Sequence, residues 1–354
     1  MAYTDDEIKE RLGKYGAVYL PDDIKEEIDD ILGNEDIKER LEDFFKALKK
    51  YENIRDQLKR SKLTPSLTVL LYGPPGTGKT SLTRAFSKKY NIPICVVESD
   101  RLVSPLLGDT IKNIRNVVEL SAEIAKENSA FVLFFDEIDA IGSERSNIHE
   151  VGEIKRAVIS FLQVIDKVNY EGTPLAIFGA TNHQGQLDSA IWRRFMFHLK
   201  FDFPDYKLRK LIIESFINKI KDAKIGVDDS ILKKLDEEYK IFDSTFSDLK
   251  KKVGSKVSEF NMSVFQKEIQ KKKKDGLLFL TIGYSGSDIE RGTNVALFKS
   301  INTELLTYEI FYSSLKLVGG TAIHVGRQDM LSGRELNEDS GEKSKSGRSL
   351  PPEI

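Results

Sequence analysis

One cysteine in 354 residues excludes an intrachain disulfide, and one cysteine with four histidines leaves no Cys/His set for a structural zinc. Long apolar runs are missing as well. The longest, Ala130 to Phe135, is six residues, against the roughly 20 that a membrane-spanning helix requires. Charge of one sign is also lacking: Lys plus Arg number 54, Asp plus Glu 56, for a formal net charge of −2. No global field therefore draws the chain to nucleic acid or to an anionic membrane, although a local patch stays open. The opening Met-Ala-Tyr-Thr-Asp-Asp is acidic and polar, unlike a secretion signal. These absences set the expectation of a cytoplasmic protein without a membrane span.

What is present is a chain with 40% apolar and 9% aromatic residues, enough for a packed core. At about 150 residues per domain its length suggests two or three domains. Residues 1–30 are acidic and weakly patterned. Ile37, Leu41, Phe44, Phe45 and Leu48 repeat at helical spacing within Glu35 to Tyr51. Short apolar runs then recur at Leu67 to Tyr72, Ile94 to Val97, Phe131 to Phe135, Leu175 to Phe178 and Phe197 to Phe201. Amphipathic stretches separate them, among them Lys79 to Tyr90 and the set Ile154, Val158, Phe161, Leu162, Ile165. That alternation predicts an α/β fold, a parallel five-stranded sheet with helices on both faces. It spans 31–203, and Pro204 ends it. The segment 204–318 reads as a small α-helical domain with a Lys-rich insertion near 236–282. Segment 319–354 is expected to be a largely disordered tail.

Gly73-Pro-Pro-Gly-Thr-Gly-Lys-Thr80 fits the phosphate-binding loop template G-x-x-x-x-G-K-[ST] at every fixed position. Glycines at Gly73, Gly76 and Gly78 let backbone N–H groups approach phosphate oxygens, and the helix that follows turns its positive end toward the anion. Pro74, Pro75, Thr77 and Ser81 complete the loop. Lys79 is expected to reach the β- and γ-phosphates, and the Thr80 hydroxyl to hold Mg²⁺. Phe131 to Phe135 runs into Asp136-Glu137-Ile-Asp139. Acids at the carboxyl end of a buried strand sit on the ligand-binding edge of such a sheet. Asp136 is placed to anchor Mg²⁺ and Glu137 to polarise the attacking water. Taken alone these acids could equally cap the next helix; paired with the upstream loop they favour the Mg²⁺ and water roles, and Asp139 is open to capping alone. Leu175 to Asn182 is a further apolar strand ending in a polar pair, where the Asn182 amide can meet a γ-phosphate oxygen or simply form a turn.

With these motifs in this order, the sequence resembles the AAA family of P-loop ATPases, within the AAA+ superfamily, over about 31–318. Gly73 to Thr80 looks like its Walker A, Phe131 to Asp139 its Walker B, and Ala180-Thr-Asn182 its sensor 1. Leu187 to Phe195, with Arg193 and Arg194 adjacent, is similar to the arginine-finger segment of the spastin and katanin branch. Without the family position this pair would read as a basic surface turn. Gly283-Tyr-Ser-Gly286-Ser287 looks like the small-domain segment beside the nucleotide. Ile31-Leu-Gly33-Asn34 is similar to the opening segment that borders the adenine.

The resemblance implies ATP and Mg²⁺ as ligands and a homo-hexameric ring in which Arg193 and Arg194 reach a neighbour's γ-phosphate. Where the family carries an aromatic pore loop, this chain has Leu106-Leu107-Gly108, which would either grip a polypeptide or pack in the ring interface. The implied function is ATP-driven remodelling, unfolding or disassembly of a protein substrate, taken directly or through an adaptor. A nucleic-acid-directed AAA+ loader is the alternative from another class. It is disfavoured by the charge balance; Phe260 and Phe265 lie in the Lys-rich stretch, but base stacking would need aromatics interleaved with basic residues on one face. A small-molecule P-loop kinase, which needs no partner arginine, is the third.

Overall fold

The computed structural model describes residues 3–102, 109–142, 148–253, 265, 268–269, 271–272 and 275–321. The chain divides into two compact units, one of Met1–Pro74 and Gly78–Phe201, the other of Pro75–Thr77 and Asp202–Ile354.

The first unit is built on a six-stranded sheet. In chain order its elements are α1 (Asp5–Leu12), β1 (Gly16–Tyr19), α2 (Glu35–Arg60), β2 (Thr68–Tyr72), α3 (Lys79–Lys89), β3 (Ile94–Val97), α4 (Ser99–Leu102), α5 (Asp109–Glu127), β4 (Phe131–Phe135), α6 (Asp139–Gly142), α7 (Ile148–Glu171), β5 (Leu175–Thr181), α8 (Ser189–Arg194) and β6 (Phe197–Lys200). The strands lie in the order β1-β3-β4-β5-β2-β6. All pairings among β2 to β6 are parallel. Side chains alternate across each strand, so every strand feeds two cores. Cys95, Val97, Leu133, Phe135 and Ile177 face α1, α5 and α7. Val69, Leu71, Ile94, Phe134 and Phe178 face α2 and α3, where Phe45 stacks on Phe86. Burial on both faces is why these strands read as nearly continuous apolar runs.

The expected five parallel strands are thus present, and β1 adds a sixth, antiparallel, at the edge. It pairs Gly16 with Val97 and Tyr19 with Ile94. Ahead of it, Thr4 and Glu7 form a reciprocal capping box that starts α1, whose Ile8 and Leu12 are fully buried. Residues 3–19 are therefore part of this core, although four strand residues are too few to show a period. Helix α2 continues past the apolar repeat to Arg60, with Leu58 packed against the core and a Glu52–Arg55 pair at 3.7 Å one turn apart.

The second unit is helical: α9 (Tyr206–Asp222), α10 (Ser230–Val253), α11 (Leu277–Leu280), α12 (Gly286–Ile301) and α13 (Tyr308–Val318), with a short parallel pair of β7 (Gly226–Val227) and β8 (Leu305–Leu306). Its core holds an aromatic cluster in which Tyr206 lies 5.6 Å from Phe242 and Phe265 lies 5.4 Å from Phe246. Glu238 accepts from the Leu277 and Leu278 N–H groups at 3.1 and 2.7 Å, capping α11. Burial pushes its carboxyl up to about 7 against the pull of those bonds.

Leu12→Ala is expected to lower the unfolding free energy by about 2–5 kcal/mol, the cost of an emptied core site. Urea denaturation measures it. A loss under about 0.5 kcal/mol would show that the N-terminal helix is not part of the core.

Candidate nucleotide site

The site begins where β2 ends. Five buried residues carry the chain to Gly73, which adopts φ +138°. A Cβ there would stand 2.0 Å from the Phe201 carbonyl oxygen, so only glycine lets the chain leave the sheet at this point. The loop closes at Gly78, and α3 starts at Lys79 with no side chain capping its first turn. Its first N–H groups and the positive end of its dipole therefore remain available to an anion.

Lys79 is 7% exposed. Its ammonium donates to the carbonyls of Gly73 (2.9 Å) and Pro74 (2.8 Å) and to Asn182 Oδ1 (2.8 Å). Burial lowers its pKa to about 8, while the charges of Asp136 and Asp139 pull it upward. Thr80 Oγ1 donates to Asp136 Oδ2 at 3.2 Å. A hydroxyl and a carboxylate in contact are the hard oxygen donors that Mg²⁺ takes from protein, with water and phosphate supplying the rest. Among the described residues no cluster of three or more His, Cys, Asp or Glu offers another metal site.

Glu137 is exposed and sits at φ +50°, in the left-handed region. A non-glycine residue held there costs on the order of 1–3 kcal/mol and depends on surrounding structure. That support is visible: Glu137 N donates to Asp136 Oδ1 (3.1 Å) and Ile138 N to the Ala180 carbonyl (2.9 Å). Asp139, open to capping in the sequence, accepts from Thr181 Oγ1 at 2.6 Å, both residues being buried. It ties the end of β5 to the acids after β4 and so fixes the strand that presents Asn182.

Arg193 and Arg194 end α8, which Asp188 caps through Ala190 N at 2.7 Å. Trp192 lies 4.5 Å from His198 in a stack and 5.1 Å edge-on from Tyr72. This anchors α8 to the strand residue immediately before Gly73. Arg194 Nε pairs with Asp166 Oδ1 at 2.8 Å, both half exposed. Arg193 is exposed and has no ion-pair partner among the described residues.

The opening segment lies against α3. Ile31 Cγ2 is 3.6 Å from where a Gly78 Cβ would be. Arg84 and Lys88 of α3 pair with Glu26 and Glu27, and the Arg84 guanidinium lies 5.1 Å over the Tyr19 ring. Gly33 and Asn34 both take positive φ at the entry to α2. In the second unit, which takes in Pro75, Gly76 and Thr77, Ser287 N donates to the Gly76 carbonyl at 3.2 Å and Gly286 adjoins the same oxygen. Lys79, Thr80, Asp136 and Asn182 are therefore joined by direct contacts. Gly33 precedes α2 and Arg193 lies in α8, and neither is among the groups that accept from Lys79 Nζ. Ser81 follows Thr80 in the first turn of α3. Leu106, Leu107, Gly108 and Phe260 lie outside the described residues. Phe265 is buried in the aromatic cluster and unavailable for base stacking. Missed from the sequence were the Asp139–Thr181 bond and the Glu26–Arg84 strap, which no local spacing signals.

The pKa of Lys79 when folded lies below its unfolded value near 10.4, so between the two the unfolded chain binds more protons and stability rises with pH. The unfolding free energy of the parent minus that of Lys79→Met is expected to rise from pH 8 to pH 10, measured by denaturant titration at each pH. A flat or falling difference would contradict the burial of the ammonium.

The family model described as ATPase family associated with various cellular activities (AAA) matches residues 69–203. A Methanothermobacter thermautotrophicus protein, a putative 26S proteasome regulatory subunit homolog, is 33% identical over 190 residues, 54% of this chain and 48% of that protein. Cell division protein C of Sulfolobus acidocaldarius is 29% identical over 269 residues, 73% of this chain and 67% of that protein. The chain spans about half the length of the first curated relatives it matches. In shape it is similar to the FIGL-1 AAA domain solved with ADP, with TM-score 0.59, 21% identity, and coverage of 93% of this chain and 96% of that one. A katanin structure aligns with TM-score 0.58 at 20% identity, covering 94% and 98%. These likenesses in shape speak for the fold, and residues 69–203, which hold the loop from Gly73 to Thr80, match the model of the AAA family.

Proposed function

We propose that this chain hydrolyses ATP with Mg²⁺ and that the reaction drives remodelling, unfolding or disassembly of a protein substrate by a ring of copies, six in the arrangement its family resemblance implies. The observation that carries the chemistry is the buried Lys79 ammonium joined to Asn182, 103 positions away, beside the Thr80–Asp136 pair. Loop, acid strand and amide strand converge on one small volume, where an anion would compensate the buried cation.

In this reading the loop from Gly73 to Gly78 and the first turn of α3, Lys79 to Ser81, surround the phosphates with N–H groups. Lys79 exchanges its carbonyl partners for β- and γ-phosphate oxygens. Thr80 and Asp136 hold Mg²⁺, which supplies positive charge against the phosphates. Glu137 orients and deprotonates water, and Asn182 fixes that water or a γ-phosphate oxygen. Gly33 borders the adenine, with Gly286 and Ser287 beside the nucleotide. Arg193 and Arg194 act on the site of a neighbouring copy, and the two differ in readiness: Arg194 must leave Asp166, whereas Arg193 is presented without an ion-pair competitor among the described residues.

Support for a protein substrate comes from the relatives, which include 26S proteasome regulatory subunit 6A of Encephalitozoon cuniculi, 32% identical over 195 residues. Ring assembly is supported by the likeness to a katanin structure described as the basis for its self-assembly.

Glu137→Gln is expected to bind ATP within about twofold of the parent while kcat falls by about 10²–10⁴. Equilibrium binding and phosphate release measure the two separately, and undiminished turnover would remove the role given to Glu137. Arg193→Ala is expected to leave ATP affinity intact and cut kcat by about 10³. Parental turnover in that variant would show that Arg193 is not a finger.

A further inference from the structure

Helix α13 ends at Val318, and the chain turns at Gly319 with φ +68°. Thr321 then meets Asp288, 33 positions back. Its N–H donates to Asp288 Oδ2 at 2.8 Å and its Oγ1 to the same oxygen at 2.6 Å. Asp288 is 2% exposed. That same oxygen accepts from Ser285 N and Ser285 Oγ at 2.9 Å each, while Arg291 stands 3.9 Å from Oδ1. A capping box at the start of α12 accounts for the Ser285 bonds alone. The two bonds from Thr321 are additional.

Gly320 fixes this approach. It is buried, and a Cβ there would stand 2.6 and 2.8 Å from carbons of the Tyr284 ring and 3.1 Å from the Gly283 carbonyl oxygen. Tyr284 is itself held, donating to the Leu315 carbonyl at 3.0 Å. At the other end of the chain of contacts, Ser285 and Ser287 lie on the tip of the phosphate loop. A Cβ on Gly76 would be 2.5 Å from Ser285 Oγ and 2.2 Å from Ser287 Oγ. Ser287 N donates to the Gly76 carbonyl at 3.2 Å. A continuous path of hydrogen bonds and close packing therefore runs from Thr321 through Asp288 and Ser285 to Gly76.

We propose that Thr321, packed in place by Gly320, is a positioning residue for nucleotide binding: it fixes Asp288, and through it the Ser285–Ser287 segment on the loop tip. The segment following α13 thereby sets the affinity of the ATP site. Thr321 touches no reacting atom. Its hydroxyl bond to a buried carboxylate is charge-assisted, the stronger class of hydrogen bond. Losing it frees Asp288 to turn toward Arg291 and loosens Ser285. This inference rests on the ATP reading of the loop.

The test is a titration of the full chain with a fluorescent ATP analogue and Mg²⁺, alongside steady-state hydrolysis. Thr321→Val is expected to weaken binding by about threefold to tenfold, raising KM while kcat at saturation holds. Thr321→Ser, which keeps the hydroxyl, should return affinity to within about twofold of the parent. Gly320→Ala, which forces a methyl against Tyr284, should weaken binding in the same way. Parental affinity in both Thr321→Val and Gly320→Ala, or equal losses in Thr321→Val and Thr321→Ser, overturns the inference while the ATP reading stands. Failure of the parent itself to bind the analogue removes both.

Discussion

Everything in the site depends on how a buried ammonium is accommodated. Lys79 has little contact with water, and burying a lone cation is costly. Two loop carbonyls and the Asn182 amide offset that cost, with two carboxylates near enough to raise its pKa against burial. Meeting those partners requires the end of β2, the start of α3 and the end of β5 to converge. The sheet register provides this: β2 and β5 are parallel neighbours with Tyr72 opposite Thr181, and Gly73 N donates to the Thr181 carbonyl. The charge and the topology thus constrain each other.

The rest of the first unit supports this convergence. Two aromatic-rich cores hold the strands from both faces. Short polar ties then set the residues beyond the strand ends, Asp139 with Thr181 and Ser99 with the Asp136 carbonyl. Trp192, Tyr72 and His198 join α8 to the strand that feeds the loop. The N-terminal residues add a strap on the far side, where Glu26 and Glu27 grip α3 and Ile31 reaches Gly78. In the second unit a buried acid again organises a turn, as Asp288 gathers Ser285 and Thr321.

Much of this was readable from sequence because the signals are local. The five parallel strands are apolar along their length, and Gly73 to Thr80 is a fixed pattern whose neighbours on each side have the right periodicity. Asp136 and Asn182 follow strands whose ends must lie on one edge. What could not be read depends on distance or brevity. The strand Gly16–Tyr19 acquires its identity from pairing with Ile94–Val97 rather than from any period of its own. The partner of Asp139 is 42 positions away, and that of Glu26 is 58. The capping box at Thr4 and Glu7 starts α1 in a stretch so acidic and weakly patterned that its sequence does not read as a helix. Arg194 looked interchangeable with Arg193 until Asp166, on another helix, separated them.

Lys79 with Asn182 and Thr80 with Asp136 are in contact; that they hydrolyse ATP and that copies of the chain complete one another are both proposed. Those two statements meet in one measurement: phosphate release from ATP by the purified chain with Mg²⁺ across a wide range of protein concentration. The account predicts a rate per chain that is low when copies are dilute and climbs to a plateau as they associate. A chain that releases no phosphate at any concentration would contradict the site, and a rate per chain independent of concentration down to the nanomolar range would contradict its completion by a neighbour.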